Sequence, residues 1–375
     1  MPKVYLQNYL LFLNFITISV FFSILKHFKM SKISILYLVI IAFLTSCQNK
    51  AVIYEGQKLK GVCFVAPPKP IEADEFDAIK EINAGWVALT PYGFTRDGSP
   101  NFMYNKSSDG HWWGESPKGA CECIRMAHEK GLKVMLKPHA WVQSANSSFT
   151  GDLDFKTEAE WQTFEKTFGE YLLDFAKVAD SSHVELYCIA TEFENFIEKR
   201  PTFWHKIIKD IKAVYKGKLT YAENWDSYNK VPFWNELDYI GVDGYFPLAE
   251  DKSPDLATIR KGWDKHRDEL EKYSRKIQKP ILFTEMGYQS TDFTTQKPWE
   301  SYSKHPDNDA LQADAYRAFF EEMWQEKWLA GCFVWKWFPN MKRDKEETKN
   351  HKFRDKYTPQ GKVGETVLKN YFGKN

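Results

Sequence analysis

"KPILFTEMGY", residues Lys279–Tyr288, places an acid at the end of a short apolar run. Ile281, Leu282 and Phe283 are typical of a strand that is buried on both faces, as in a parallel sheet. A carboxylate at the end of such a strand is costly to desolvate unless it gains a partner or a function. Glu285 is therefore either a rim residue in a salt bridge or a functional acid.

Similar apolar runs recur along the chain, and amphipathic stretches separate them. The eight predicted strands are LKGVCFVA from Leu59, AGWVALTP from Ala84, KVMLKPHAW from Lys133, VELYCIATE from Val184, KLTYAENW from Lys218, LDYIGVDGY from Leu237, KPILFTEMGY from Lys279 and LAGCFVWKWFP from Leu329. Residues 72–83, 158–179 and 314–328 carry apolar side chains at helical spacing. This alternation predicts an α/β fold, a single-domain (β/α)8 TIM barrel over residues 59–375, rather than an open doubly wound sheet.

The first 47 residues read as a targeting segment. Tyr5–Leu25 is largely apolar, and a second possible start at Met30 opens another apolar stretch that ends in LTSC at Cys47. LTSC resembles the lipobox of a bacterial lipoprotein signal peptide. The resemblance implies cleavage before Cys47, lipidation of its thiol, and a membrane-anchored protein in the periplasm or at the cell surface. A plain transmembrane anchor over Tyr5–Leu25 is the alternative, and residues 48–58 are a tether in either case.

Composition excludes several classes of function. A net charge of +1 gives no electrostatic reason to bind nucleic acid. The first strand leads into GVCFVAPPKP, whose prolines replace the glycines of a dinucleotide site. The cysteines after Cys47 lack the spacing of a metal knuckle, so we expect no metal, no disulfide framework and no cofactor. With 14 Trp among 375 residues, the chain suits a ligand with flat amphipathic faces, such as a sugar.

Functional side chains of a (β/α)8 barrel collect at the C-terminal ends of its strands. The candidates at these ends are Tyr92, His139, Trp141, Glu192, Asn224, Trp225, Asp243, Tyr245, Glu285, Trp335 and Trp337. Two glutamates across an aromatic-lined opening are the minimum for glycoside hydrolysis, because one must donate a proton and the other must attack. Glu185 and Glu194 compete with Glu192, but they lie near the start of the strand and past its end. The histidine, the asparagine and the tryptophans have a structural alternative as strand caps or core residues.

The motifs KGVCF, LKPHAW, CIATEFE, YAENW, DYIGVDGYFPL, FTEMGY and FVWKWFP, in this order, resemble glycoside hydrolase family 113. This is a β-mannanase family within clan A, whose members are retaining barrel enzymes. The resemblance implies that Glu192 is the acid/base and Glu285 the nucleophile. It also implies that Trp335 is the platform under the sugar at the cleavage point and that Tyr245 holds the nucleophile. His139, Trp141, Asn224, Trp225 and Trp337 are the further expected substrate contacts.

The expected activity is hydrolysis of a β-linked polysaccharide or oligosaccharide, β-1,4-mannan first, by double displacement. Clan A members commonly have Asn directly before the acid/base, where its amide can bond the sugar 2-hydroxyl, but this chain has Thr191. The departure bears on which sugar is bound. The alternatives are a non-catalytic glycan-binding surface lipoprotein and a clan A glycosidase for glucan, xylan or galactan. A working acid/base near neutrality further predicts a raised pKa for Glu192.

Overall fold

The computed structural model describes residues 50–96, 98–107, 112–142, 149–300, 304–339 and 355–374. Its strands are β1 (Leu59–Val65), β2 (Trp86–Thr90), β3 (Tyr92–Thr95), β4 (Met103–Tyr104), β5 (Lys133–Leu136), β6 (His139–Val142), β7 (Leu186–Thr191), β8 (Lys218–Asn224), β9 (Ile240–Asp243), β10 (Ile281–Met286) and β11 (Leu329–Trp337). Eight of them pair in parallel and close into a barrel in the order β1-β2-β5-β7-β8-β9-β10-β11. This confirms the predicted (β/α)8 fold.

An α-helix follows each barrel strand except β8, after which the described chain forms only short 3-10 turns. Within the described ranges the helices are α1 (Asp77–Glu81), α2 (Pro117–Glu129), α3 (Glu158–Ser181), α4 (Glu194–Lys199), α5 (Pro201–Val214), α6 (Leu256–Ile277), α7 (Asp309–Glu322) and α8 (Val363–Phe372). A capping box begins α3: the Thr157 hydroxyl accepts from the Glu160 N–H at 3.3 Å, and the Glu160 carboxylate accepts from the Thr157 N–H at 2.9 Å. The predicted helix over 314–328 ends early, at Glu322, and buried aromatic residues follow it in a turn.

Two apolar layers result from the alternation of side chains along each strand. Val62 and Phe64 of β1 belong to the large cluster that contains the helix side chains, whereas Leu59 and Cys63 belong to a smaller cluster. The smaller cluster is built from strand residues on the opposite face, so it fills the barrel interior. Cys188 joins Cys63 there, and both thiols pack as small apolar groups.

The predicted third strand, KVMLKPHAW, is two strands in the structure. β5 ends at Leu136, and β6 begins at His139 in a separate three-stranded sheet of order β4-β3-β6. Pro138 has no N–H to donate, so the barrel ladder cannot continue through it. The small sheet pairs Tyr92 with His139 and Phe94 with Trp141, which places these side chains above the barrel.

The predicted targeting segment, residues 1–47 with Cys47, lies outside the described residues. Within the part that the structure describes, no helix has both the length and the apolar character needed to cross a membrane.

Candidate active site

A cavity of about 720 Å³ opens at the C-terminal ends of the barrel strands. Both predicted catalytic glutamates line it, together with most of the predicted sugar contacts. The predicted residues that the structure brings together here are Glu192, Glu285, His139, Trp141, Asn224, Trp225, Tyr245 and Trp335. The site is therefore assembled from five barrel strands or the segments that follow them, and from β6.

Trp337 is the exception, and the expectation of a sugar contact for it is wrong. Its side chain is only 1% exposed and packs in the outer apolar layer. The pairing of β1 with β11 explains this placement, because Cys63 pairs with Trp335 while the next residue, Phe64, pairs with Trp337. Lys336 is the extra residue of this bulge, so the two tryptophans fall on opposite faces of the strand. Trp335 faces the cavity, and Trp337 faces the helices.

Glu285 is held through both of its carboxylate oxygens. The Tyr245 hydroxyl donates to Oε2 at 2.5 Å, and the Lys137 ammonium donates to Oε1. Lys137 also donates to both carboxylate oxygens of Asp243, at 3.0 and 3.2 Å. These partners fix the orientation of Glu285, which is only 5% exposed.

An irregularity in β10 brings two consecutive residues to this cluster. The pairing of β10 with β9 shifts register between Phe283 and Glu285. In a regular strand Thr284 and Glu285 would point to opposite faces. Here the Thr284 hydroxyl donates to Oδ1 of Asp243 at 2.8 Å, while Glu285 accepts from Lys137. The bulge thus points the Glu285 carboxylate, at the end of β10, into the cavity.

The buried charges balance in part. Burial by itself lowers the pKa of Lys137, but the carboxylates of Asp243 and Glu285 raise it well above its usual range, so the ammonium stays charged. One cation thereby faces two carboxylates. The remaining negative charge raises the pKa of any further acid whose side chain lies in this cavity.

That further acid is Glu192. Burial, together with the charges of Asp243 and Glu285, raises the pKa of Glu192 well above its usual range, as the sequence predicts. The two cavity glutamates therefore differ in environment, since Glu285 has donors on both oxygens. A protonated Glu192 beside a hydrogen-bonded Glu285 carboxylate is the combination that acid-assisted substitution at an acetal requires.

The backbone of Glu192 is in the left-handed region, with φ of 57°. This conformation costs about 1–2 kcal/mol for a residue with a Cβ. Its N–H donates to the carbonyl of Ala222 in β8 at 2.8 Å, and the following N–H, of Phe193, donates to the Tyr221 hydroxyl at 2.7 Å. Contacts with β8 thus hold the turn that carries the acid.

His139 is a neutral ring in the wall of the cavity. Burial and the nearby Lys137 ammonium lower the pKa of its imidazole well below the usual range. The ring stacks on Trp335 with 5.6 Å between centroids and 15° between planes. Its Nε2 lies 3.4 Å from Oε1 of Glu285 and has no hydrogen-bond partner among the described residues. The atom is therefore free to bind a ligand hydroxyl.

A second unpartnered polar atom is Oγ1 of Thr191. This side chain is 7% exposed, lines the cavity and makes no hydrogen bond within the described part of the chain. A buried polar group without a partner is unfavourable unless a ligand or water supplies one. The hydroxyl that replaces the expected asparagine is thus available to a substrate.

Residues 69–362 match the model of Glycoside Hydrolase Family 113, which is more than half of the chain. The chain belongs to glycoside hydrolase family 113. The match confirms the resemblance predicted from the motifs. No curated protein sequence matches the chain.

Solved structures share the fold of this family 113 enzyme. A family 113 β-mannanase from Alicyclobacillus acidocaldarius, in complex with ManMIm, is 23% identical, with 85% of this chain and 98% of that chain covered and a TM-score of 0.73. A second family 113 β-1,4-mannanase complex is 23% identical over 85% of this chain and 100% of its own, with a TM-score of 0.71. A β-glucuronidase from Ruminococcus gnavus is 13% identical, over 84% of this chain and 50% of its own, with a TM-score of 0.56. At such identities the likeness shows the barrel fold alone.

Several residues at the site of this family 113 enzyme were not predicted from its sequence. Trp299 stacks on Trp225 with 5.3 Å between centroids, and Tyr357 packs edge-on against Tyr245. Both come from long connections without a strand pattern, so no periodicity marks them. Lys137 carried a usable signal: a lysine inside an apolar strand requires a buried acid as partner.

A second cavity, of about 440 Å³, adjoins the first and shares Tyr92, Trp141, Trp335 and Lys336 with it. Trp112, from the connection after β4, forms another wall, and Glu115 lies among these rings. The carboxylate of Glu115 has no hydrogen-bond or ion-pair partner in the described ranges, and burial raises its pKa to about 7. Aromatic walls with one carboxylate suit a sugar ring and its hydroxyls.

Proposed function

We propose that this family 113 glycoside hydrolase cleaves β-1,4-mannan or its oligosaccharides with retention, by double displacement. The observation that carries the proposal is the contrast between the two cavity glutamates. Lys137 and Tyr245 hold Glu285 through both oxygens, while burial and neighbouring charge raise the pKa of Glu192. A nucleophile and a proton donor need these opposite environments.

In the first step, a carboxylate oxygen of Glu285 attacks the anomeric carbon as the glycosidic C–O bond breaks. Glu192 transfers its proton to the departing oxygen, so the leaving group departs as an alcohol. A covalent glycosyl ester on Glu285 and an ionised Glu192 remain. Because the ester no longer carries charge, Lys137 then neutralises Asp243, and the charge lost by Glu285 reappears on Glu192.

In the second step, Glu192 acts as a base. It takes a proton from a water molecule as the water oxygen attacks the anomeric carbon from the side that the leaving group vacated. The ester bond to Glu285 breaks, and its carboxylate returns to the donors on Lys137 and Tyr245. Two inversions at one carbon leave the product with the configuration of the substrate.

The sugar at the cleavage point would lie on Trp335, beside the free Nε2 of His139 and the free Oγ1 of Thr191. Trp335 belongs to β11, lines both cavities and has a partly exposed ring. Stacking on an indole holds the apolar face of a pyranose, and the two polar atoms are within the same cavity to bond its hydroxyls.

The direction of the substrate follows from the position of the acid. Glu192 follows β7, so the leaving group lies toward Trp225, after β8, and its stacked neighbour Trp299. The opposite end leads to the second cavity, beside the ends of β1, β2 and β11, where Trp112 and Glu115 receive glycone units. Sugar-sized space on both sides of the cleaved bond supports attack within a chain rather than only at its end.

Mannan is favoured over other β-linked chains by family membership and by the two family 113 structures described above, which are β-mannanases. Anchoring through a lipidated Cys47 is the localisation that the LTSC motif supports. Such an anchor would place the barrel outside the cytoplasm, where polysaccharide is found.

The proposal is tested with purified enzyme on a panel of mannan, glucan, xylan and galactan, using Glu192→Gln and Glu194→Gln as a matched pair. Glu194 begins α4, pairs with Lys230 and borders a different cavity. Release of manno-oligosaccharides that Glu192→Gln loses and Glu194→Gln keeps is the expected result. Turnover of another polysaccharide alone would refute the mannan assignment, and binding of glycan without any turnover would indicate a non-catalytic glycan-binding protein.

A further inference from the structure

Glu223 is a buried acid that the mechanism above does not use. It lies in β8 next to Asn224, is only 1% exposed, and does not line the active-site cavity. It borders instead a separate cavity of about 500 Å³ beside α4. A carboxylate so far from water needs either partners or a function.

Its partners connect two of the segments that form the active site, those that follow β7 and β8. Oε1 of Glu223 accepts from the N–H of Asn224 at 2.9 Å and from the hydroxyl of Ser227 at 3.0 Å. Oε2 accepts from the hydroxyl of Tyr221 at 3.1 Å. The Glu223 carboxylate therefore orients both the chain after β8 and the side chain of Tyr221, which contacts the segment after β7.

The Tyr221 hydroxyl continues the connection to the acid/base. It has one proton, which it donates to Glu223, so its lone pair is aimed at the N–H of Phe193, 2.7 Å away. Phe193 directly follows Glu192, whose left-handed backbone needs support from outside the turn. The Ala222 carbonyl and the Tyr221 hydroxyl, both from β8, each accept one N–H of this turn.

We infer that Glu223 and Tyr221 are positioning residues, which act through the N–H of Phe193 to aim the carboxyl of Glu192 at the glycosidic oxygen. This inference rests on the proposed role of Glu192 as acid/base. Neither residue touches the substrate. Loss of the Tyr221 hydroxyl would leave the fold and the nucleophile in place but let the acid-bearing turn relax away from the productive geometry.

The test uses two substrates with the same mannobiose glycone. A dinitrophenyl glycoside has a leaving group that departs without a proton, whereas mannotetraose needs acid assistance. For Tyr221→Phe and for Glu223→Gln, we expect kcat/KM on mannotetraose to fall about tenfold or more, and kcat/KM on the dinitrophenyl glycoside to stay within about twofold. A purely structural role would lower both values together.

Tyr187→Phe is the matched control. Tyr187 is a fully buried tyrosine of β7, and its hydroxyl donates to the Leu172 carbonyl at 2.8 Å without contact to the acid-bearing turn. It should lose thermal stability with no difference between the substrates. If Tyr221→Phe and Glu223→Gln also show no difference, the inference is overturned.

Glu192→Gln separates this failure from a failure of the proposed function. We expect this variant to show the largest difference between mannotetraose and the dinitrophenyl glycoside. If it shows the difference and the positioning variants do not, only the positioning inference falls. If Glu192→Gln treats both substrates alike, the acid/base assignment falls, and the inference falls with it.

Discussion

The ammonium nitrogen of Lys137 lies 3.0 Å from Oδ1 and 3.2 Å from Oδ2 of Asp243 at the centre of the barrel, where neither side chain is exposed. The same nitrogen donates to Glu285. A single buried cation therefore connects the proposed nucleophile to a second carboxylate that does not line the cavity. The positive charge on Lys137 is therefore needed both for the stability of the fold and to hold the carboxylate of Glu285 in place.

Lys137→Met should destabilise the fold by about 3–5 kcal/mol near pH 8, because it leaves two buried carboxylates without their cation. Burial already raises the pKa of Asp243 to about 7. Without the lysine this carboxyl gains its proton at still higher pH, so the loss should shrink toward pH 5. Denaturant unfolding at both pH values measures the difference. The double variant Lys137→Met/Asp243→Asn should recover part of the loss at pH 8. A single variant as stable as the wild type at pH 8 would contradict the role of the lysine.

Thr191→Val tests the free hydroxyl in front of the acid/base. The change removes an oxygen without a partner, so stability should be unchanged or slightly higher. If that oxygen bonds the sugar 2-hydroxyl in the transition state, kcat/KM on manno-oligosaccharides should fall about tenfold, equivalent to roughly 1.4 kcal/mol. Thr220→Val is the control: its buried hydroxyl donates to the Tyr221 and Tyr239 carbonyls, so the variant should lose stability and keep activity. Full activity in Thr191→Val would exclude the contact.

The raised pKa of Glu115 predicts that the stability of the folded protein depends on pH. Burial raises its pKa in the folded protein to about 7, above the value of roughly 4.3 for an exposed glutamate. The folded state therefore binds the proton more tightly, and stability declines as the pH rises from about 4.3 through 7. Glu115→Gln should raise the melting temperature at pH 8 and leave it unchanged at pH 4. Glu55→Gln, at an exposed position, should change neither value. An equal effect of Glu115→Gln at both pH values would contradict this account.

Cys47→Ser tests the proposed anchor. A lipidated Cys47 requires its thiol, so the variant should leave the membrane fraction or accumulate as an uncleaved precursor. Membrane fractionation and intact mass in a bacterial host measure both outcomes. Cys121→Ser, which changes a partly exposed cysteine of α2, should behave as the wild type. Unchanged fractionation and mass in Cys47→Ser would refute the lipoprotein proposal.

The barrel and most of its catalytic ends are predictable from sequence, because each rests on a local pattern. Apolar runs such as that before Glu285 mark the strands, and the C-terminal end of a barrel strand is a fixed place for function. Glu192, Glu285 and Tyr245 could be placed in one cavity on that basis. The prediction needs only the order of the strands, and strands that follow one another in the sequence usually lie side by side.

The errors arise where a strand departs from regular alternation. Trp337 follows Trp335 by two residues, so a regular strand would put both in the cavity, but the extra residue Lys336 turns Trp337 to the core. Trp299 and Lys137 depend on contacts between segments far apart in the chain. No local pattern encodes a partner across the barrel, although a lysine within an apolar strand shows that one must exist.

The central claim, that Glu285 attacks the anomeric carbon, is tested most directly by trapping the glycosyl ester. A 2-deoxy-2-fluoro-β-mannosyl fluoride slows both steps but keeps a good leaving group, so the ester should accumulate on a retaining enzyme. Peptide mass spectrometry of the inactivated protein then locates the sugar. We predict one fluorosugar per molecule, attached to Glu285. A label on another residue, or an active enzyme that hydrolyses the fluoride without ever carrying a label, would contradict the account.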